Sequence, residues 1–254
     1  FVGRGDSTKV FVELGVLQRQ NDSLQNQRIE RVNHSTSYYL KSNLIKTEKS
    51  NLSLFLNYRK LTYEDPTLKD EPSLNSRILY SDRYFGQLIQ TTTAYETSSG
   101  TIAQQEFTYL EVAPGQGIYQ WNDYNGNGIQ ELQEFEIAPF PDLAKYVRVY
   151  LPNQIFIRTH QNKFSQALNI NFNQWQNETG WKKWISHFYN QTSLLMEQKI
   201  RRTGADFEWN PWQKNKEESI GLNTNLRNSL FYNRGKQLHS TTYSYVLNEN
   251  KNEL

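Results

Sequence analysis

The sequence predicts an all-β protein: an antiparallel, up-and-down sheet of long strands that forms part of a transmembrane β-barrel. Three observations carry that expectation. Apolar and polar residues alternate with a period of two over many segments, as in a strand with one wet face. Many of these segments run about 10 to 20 residues, beyond the five or six usual in soluble sheets. Aromatic residues make up 14% of the chain, with 16 Tyr, 13 Phe and 6 Trp, and they crowd the segment ends. Amphipathic rings at strand ends are what an interfacial girdle needs.

The strands can be read in order. Val10, Val12, Leu14 and Val16 share one face, with Lys9, Glu13 and Arg19 opposite. Tyr38, Leu40 and Leu44 share another apolar face, and Leu52, Leu54, Leu56 and Tyr58 a third; the polar turn Thr47-Glu-Lys-Ser-Asn51 joins them as a hairpin. Tyr63 to Ser76, with two prolines and a run of charges, reads as a solvated loop. The longest connection runs from 113 to 152 and holds Pro139-Phe-Pro141, with Asp142 to Tyr146 as one helical turn. Beyond it, Phe164, Leu168, Ile170 and Phe172 oppose Asn169, Asn171 and Asn173. Ser186 to Met196 carries apolar groups on both faces. Ile220, Leu222, Leu226 and Leu230 oppose Gly221, Asn223, Asn225, Arg227 and Ser229, and Leu238 to Leu247 returns after the turn at 233–236. This gives about ten strands, most joined by turns short enough for antiparallel neighbours. Residues 1–254 are expected to form a single barrel segment with the 113–152 loop inserted in it.

Composition narrows the function. There is no cysteine, which removes disulfides and thiolate metal sites. A net charge of +2 projects no field toward nucleic acid. The only methionine is Met196, and neither a signal peptide nor an apolar run of helix-spanning length is present, so the chain is read as an internal piece of a larger protein. Mean hydropathy is −0.81. Long polar strand extensions beyond a membrane account for that value; so does a soluble long-stranded sheet with aromatic ladders, and both stay open.

The stretch Asp123-Tyr-Asn-Gly-Asn-Gly-Ile-Gln-Glu-Leu-Gln-Glu134 has the layout of a calcium loop. Asp123, Asn125 and Asn127 stand at loop positions one, three and five, and Gly128 at six permits the sharp turn. Ile129 offers its carbonyl at seven, Glu131 acts at nine directly or through water, and Glu134 at twelve binds with both oxygens. With Asn at two positions, the Ca2+ site should be weak, suited to a place where calcium is plentiful. Such a loop between strands would clamp a connection rather than switch a helix pair, with Leu132, Phe135 and Ile137 as its anchors. An Asn/Gly-rich turn without metal is the plainer alternative.

The run from Tyr80 to Thr97, the run from Tyr119 to Glu136, and Leu151-Pro-Asn-Gln-Ile-Phe-Ile-Arg-Thr-His-Gln-Asn-Lys-Phe164 resemble a family of long Bacteroidota outer-membrane β-barrel envelope proteins, mostly without assigned function. The resemblance spans roughly residues 77–245. It implies an outer-membrane location at the surface of a Gram-negative bacterium, membership of a bigger barrel, and contact with outer-membrane lipid and other envelope proteins. It implies no catalytic residue.

Other chemistry is weakly signalled. His34, His160, His187 and His239 are scattered without metal-ligand spacing. No nucleophile elbow, phosphate loop or dinucleotide fingerprint occurs, and Gly115-Gln-Gly117 is too short for one. Glu106, Glu111 and Asp206 could pair in space as glycosidase carboxylates, but no spacing says so. Arg4-Gly-Asp6 and the Asn-x-Ser/Thr triplets are what composition alone produces. Trp175, Trp181 and Trp184, with Trp209 and Trp212, read as a girdle, with a sugar-stacking platform as the alternative. Lys182-Lys183 and Arg201-Arg202 read as solvated turn charges.

The expected role is therefore non-enzymatic: transport, secretion or scaffolding within an envelope complex. A soluble cell-surface module binding glycan or protein, with structural calcium, is the alternative. An enzyme acting on polysaccharide ranks last.

Overall fold

A computed structural model describes residues 2–5, 10–25, 27–202, 204, 207, 210, 219–235 and 238–252. The fold is all-β and antiparallel. Its strands are β1 (Val2–Gly5), β2 (Phe11–Gln25), β3 (Arg28–Lys46), β4 (Asn51–Tyr63), β5 (Glu71–Tyr84), β6 (Ile89–Glu111), β7 (Tyr119–Trp121), β8 (Phe135–Ile137), β9 (Tyr146–Asn171), β10 (Phe188–Arg201), β11 (Ser219–Tyr232) and β12 (Thr241–Asn252). One short helix, α1 (Trp181–Ile185), lies between β9 and β10. The chain divides into two compact units, residues 1–100 with 158–254, and residues 101–157. The loop expected at 113–152 falls inside the second.

The larger unit is a meander. Neighbours follow the order β1-β2-β3-β4-β5-β6-β9-β10-β11-β12, with β1 and β12 at the two ends of the path. The hairpin read at 47–51 is present, Thr47 N–H donating to the Ser50 carbonyl at 2.8 Å. Because paired residues point to the same side of a sheet, the register defines two faces. Leu14 pairs with Leu40, Leu40 with Leu56, Leu54 with Ile78 and Ile78 with Tyr95. On the later strands Phe164 pairs with Met196, and Leu194 with Leu226, which pairs with Leu247. The opposite face carries Glu13, Lys41, Asn57, Arg77 and Glu96 on the early strands, and Lys163, Glu197, Asn223 and Asn250 on the later ones.

Three local readings need correction. Leu44 does not continue the face of Tyr38 and Leu40, because the register shifts between Asn43 and Ile45 and Ile45 takes the place opposite Leu52. A one-residue bulge of this kind reverses the facing of the residues beyond it. The solvated loop after Tyr63 is shorter than expected, since β5 begins at Glu71. Pro72 is its second residue, where a missing N–H is tolerated. Pro152 likewise lies within β9 and does not end a loop.

The smaller unit is organised on rings. Tyr109 stacks on Phe135 at 4.0 Å and 10°, and Tyr119 and Tyr146 meet this pair edge-on at 5.1 and 5.0 Å. Arg148 lies 5.2 Å over both Phe107 and Tyr150. β7 and β8 form a hairpin, Tyr119 opposite Ile137 and Trp121 opposite Phe135. Gly117 leads into it with no room for a side chain: a Cβ there would stand 2.6 Å from Tyr146 N, 2.7 Å from Tyr146 O and 2.8 Å from Ala144 O. These are main-chain atoms that cannot turn aside. Gly117→Ala should therefore destabilise the hairpin by about 1–3 kcal/mol. Faster amide exchange from 117 to 138, with the meander's amides unaffected, is the expected reading.

Candidate functional site

Two features of the structure concern function: the faces of the meander and the loop between β7 and β8. Toward the edges of the sheet the apolar face is exposed. Leu14 and Val16 are 53% and 58% exposed, and Tyr38, Ile78, Tyr243, Tyr245 and Leu247 are exposed as well. Among the described residues the buried hydrophobic side chains are few: Leu74, Leu88, Ala144, Tyr146, Ile200 and Ile220. The accessible area is 17600 Å² for a 30.0 kDa chain, against about 11,700 Å² for a folded monomer of that mass.

Polar groups on the apolar face satisfy one another. Gln166 accepts from Thr93 and donates to Thr91. Asn228 donates to Thr192 at 2.7 Å and exchanges bonds with Asn190. His160, 1% exposed, shares a bond with Thr97 at 2.7 Å and meets the Phe207 ring edge-on at 5.5 Å. Phe207 also contacts Tyr58, so its ring covers one patch of this face. Arg202 is part of that cover and not a solvated turn charge. It lies 4.3 Å over Phe207 and donates to the Pro72 carbonyl at 2.6 Å. The sequence reading missed this role because nothing local in the Arg201-Arg202 pair distinguishes packing from solvation.

Strand alternation brings the turns at 47–50, 85–88, 172–187 and 233–235 to one end of the sheet. Aromatics gather there. Phe172, Trp175 and Trp181 form a chain of contacts at 5.3 and 5.7 Å, and Phe188 joins Trp184 to Tyr232 at 5.0 and 5.2 Å. Trp181 and Trp184 remain 63% and 61% exposed. Lys182 pairs with Glu178 at 3.8 Å and sits over Trp175. At the same end a cavity of about 250 Å³ is lined by Asn171, His187, Tyr189 and Arg234, among others. Arg234 stacks on Tyr189 and Phe231 at 4.6 and 4.9 Å. Asp6, Asp206, Trp209 and Trp212 lie outside the described residues. Glu106 is half-buried and Glu111 exposed.

The loop from 123 to 134 is closed at its base by the Asn122 N–H, which donates to the Glu134 carbonyl at 3.0 Å. Asp123 Oδ1 accepts the N–H groups of Gly126 and Asn127, and Oδ2 that of Gly128, at 2.7, 3.1 and 2.8 Å. Asn125 and Asn127 each accept an N–H two residues on. Gly128 has φ +71, the left-handed conformation its position requires. The amide nitrogens of Asn125 and Asn127 reach the Glu131 carboxylate at 3.3 and 3.4 Å. The structure thus brings Asp123, Asn125, Asn127 and Glu131 together. Ile129 is in the same turn, its N–H on Asn127 Oδ1. Glu134 sits apart on Trp121, whose indole donates to Oε2 at 2.8 Å. Among the described residues, no three His, Cys, Asp or Glu side chains converge as a metal-holding group, so any ion here would draw on amide and main-chain oxygens. Of the three expected anchors, Phe135 is stacked on Tyr109, while Leu132 and Ile137 are exposed.

Comparison with protein-family models, with curated proteins and with solved structures finds no match to this chain.

Glu136 ties the outside of the loop. Bonds from Gln120, then Tyr124, with a further one from Asn122, hold its carboxyl below the usual range. A depressed carboxylate contributes stability above its unfolded pKa of about 4.3, lost as pH falls through the lower folded value. Amide protection across the loop should be constant from pH 7 to 5 and fall below about pH 4. Glu136→Gln, which cannot titrate, should remove that step.

Proposed function

We propose that this chain is a segment of an outer-membrane β-barrel with a non-enzymatic role in transport, secretion or scaffolding of an envelope complex. The observation that carries the reading is the two-faced meander whose apolar side chains stand exposed on β2 and β12, with no second sheet over them among the described residues of that unit. Water is a poor solvent for such a face, and lipid is a good one. β2 to β6 and β9 to β12 each run 12 residues or more. A membrane crossing takes about 9–11 tilted residues, so each could cross and extend beyond. Polar groups on the apolar side bond one another, as a medium without water demands. The exposed tryptophans at one end suit an interfacial girdle. β1 and β12 each have one bonded neighbour in the described sheet, and a barrel arises by pairing such edges with each other or with further strands. No helix among the described residues is long and apolar enough to cross a membrane, which says nothing of strands.

A second reading rests on the cavity beside Tyr189 and Arg234 and on the exposed Trp181 and Trp184. Flat rings and amide side chains together suit a glycan, so the chain would be a soluble cell-surface module.

A pair of substitutions separates the two. Leu54→Arg places a charge on the apolar face, and Ser53→Arg places one on the polar face. In lipid the first should cost about 2–4 kcal/mol near the midplane and the second little. Folding into vesicles, followed by strand content and protease resistance, should fail for Leu54→Arg alone. A wild-type chain that stays folded and monodisperse without lipid or detergent, and ignores vesicles, would support the soluble module and remove the barrel.

A further inference from the structure

The cavity at the end of β9, β10 and β11 is rich in N–H donors and, among the described residues that line it, holds no Asp or Glu. Asn171, Tyr189 and Phe231 pair in register across these strands, so their side chains stand in one row on one face. It is the polar face, shared with Lys163, Glu197 and Asn223 further along. Arg234 lies over the two rings of that row, its guanidinium carbon 4.6 Å from the Tyr189 centroid and 4.9 Å from that of Phe231. The turn that carries it there has a left-handed residue on each side, Asn233 at φ +54 and Gly235 at φ +77. The Asn233 N–H donates to the His187 carbonyl at 2.8 Å and ties this turn to the start of β10. No carboxylate among the described residues pairs with Arg234, and Glu178 is taken up by Lys182. The His187 ring tilts on Tyr232 at 5.9 Å, and its nitrogens bond no other described residue. Asn171 uses its Oδ1 on the Asn173 N–H at 3.0 Å and keeps its Nδ2 free, and the Gln176 amide is unengaged.

We propose that this cavity binds the phosphate group of a water-soluble phosphomonoester, with Arg234 as its charged clamp and His187, Asn171 and Gln176 as further donors. Stacking on two rings fixes the plane of the guanidinium and leaves its N–H edge as a fork, the geometry that meets two oxygens of one anion. The fork, the imidazole and the two amides offer more N–H groups than the about four lone-pair sites of a carboxylate take up. A phosphomonoester brings three terminal oxygens and a charge of about −1.5 to −2 at pH 7. A volume of about 250 Å³ leaves room beyond the phosphate for part of the group it esterifies. The ligand comes from water, because the cavity opens on the polar face and not on the apolar one. The site stands on its own lining, whichever medium meets the apolar face. Under the barrel reading, on which this one step rests, the polar face lines the lumen, and the cavity would draw phosphorylated solutes to one mouth of it.

The side-chain amide signals of Asn171 and Gln176 report on the cavity directly. With the full chain at pH 7, in buffer or in the detergent that keeps it folded, inorganic phosphate should shift both signals saturably. Chloride at equal ionic strength should not. Arg234→Gln should weaken phosphate binding about tenfold or more, the scale of a hydrogen-bonded charge pair. Lys183→Gln, exposed and outside the cavity, should leave it unchanged. Absence of a saturable shift, or equal loss in the two variants, overturns the proposal. Should Arg234→Gln loosen the turn, seen as altered Tyr189 and Phe231 ring signals, His187→Phe decides the matter, since it keeps a ring against Tyr232 and removes the nitrogens. Several-fold weaker binding then upholds the site, and unaltered affinity removes it. Glycerol phosphate and phosphatidic acid carry the same phosphomonoester in water and in lipid. Shifts with the first uphold an aqueous ligand, and shifts with phosphatidic acid alone overturn it. Phosphate is titrated in solution, so a chain that ignores vesicles still answers for the cavity.

Discussion

The structure depends on one constraint: a single antiparallel sheet keeps its apolar side chains on one face, and toward the two edges of the sheet those side chains stand exposed. The ladder satisfies the backbone, so hydrogen bonding does not require a second layer. Apolar area does require cover. A chain of this mass ordinarily buries its hydrophobic residues between two layers. Here Val12, Leu14 and Val16 on β2 and Tyr243, Tyr245 and Leu247 on β12 stand exposed near the two edges of the sheet. The strands between them are only half covered. The buried positions are largely polar, among them Ser35, Ser37, Ser42, Thr97, His160, Asn162 and Gln198. Ser42, Thr97, His160, Asn162 and Gln198 lie on the apolar face itself, bonded away from water, while the apolar side chains exposed on that face are stable where their surroundings are apolar, and that reasoning connects the fold to a membrane reading.

Alternation made the meander legible. Wherever a strand has one polar and one apolar face, period two fixes which residues share a side, and the hairpin at 47–51 and the segments after 160 follow from it. Three things were hidden for physical reasons. The bulge at Leu44 depends on how β3 meets β4, and no pattern within β3 alone reports a partner's register. Pro72 and Pro152 read as breakers because proline lacks a donor, yet a strand tolerates one where that donor has no partner to reach. The packing of Arg202 on Phe207 is a long-range contact between a connection and a face, and composition cannot foresee it.

The 123–134 loop shows how far a motif reaches by itself. Its spacing located Asp123, Asn125 and Asn127 and the turn at Gly128, because these residues organise their own backbone within a few positions. It did not reveal that Glu134 would be enclosed against Trp121, since that depends on the β7–β8 pairing and on the ring cluster of Tyr109, Tyr119, Phe135 and Tyr146. Local hydrogen bonds shape the front of the loop, and tertiary packing shapes its last residue.

The environment of the apolar face is measurable directly. The chain has no cysteine, so single cysteines at successive positions from 52 to 58 on β4 can each carry a nitroxide label without competition. In lipid vesicles, collision rates with oxygen, which concentrates in the bilayer, and with a water-soluble nickel chelate should alternate with period two. Labels at 52, 54, 56 and 58 should favour oxygen, and labels at 53, 55 and 57 should favour nickel. Equal access at odd and even positions, or even positions shielded from both reagents by protein, would contradict a sheet that faces lipid.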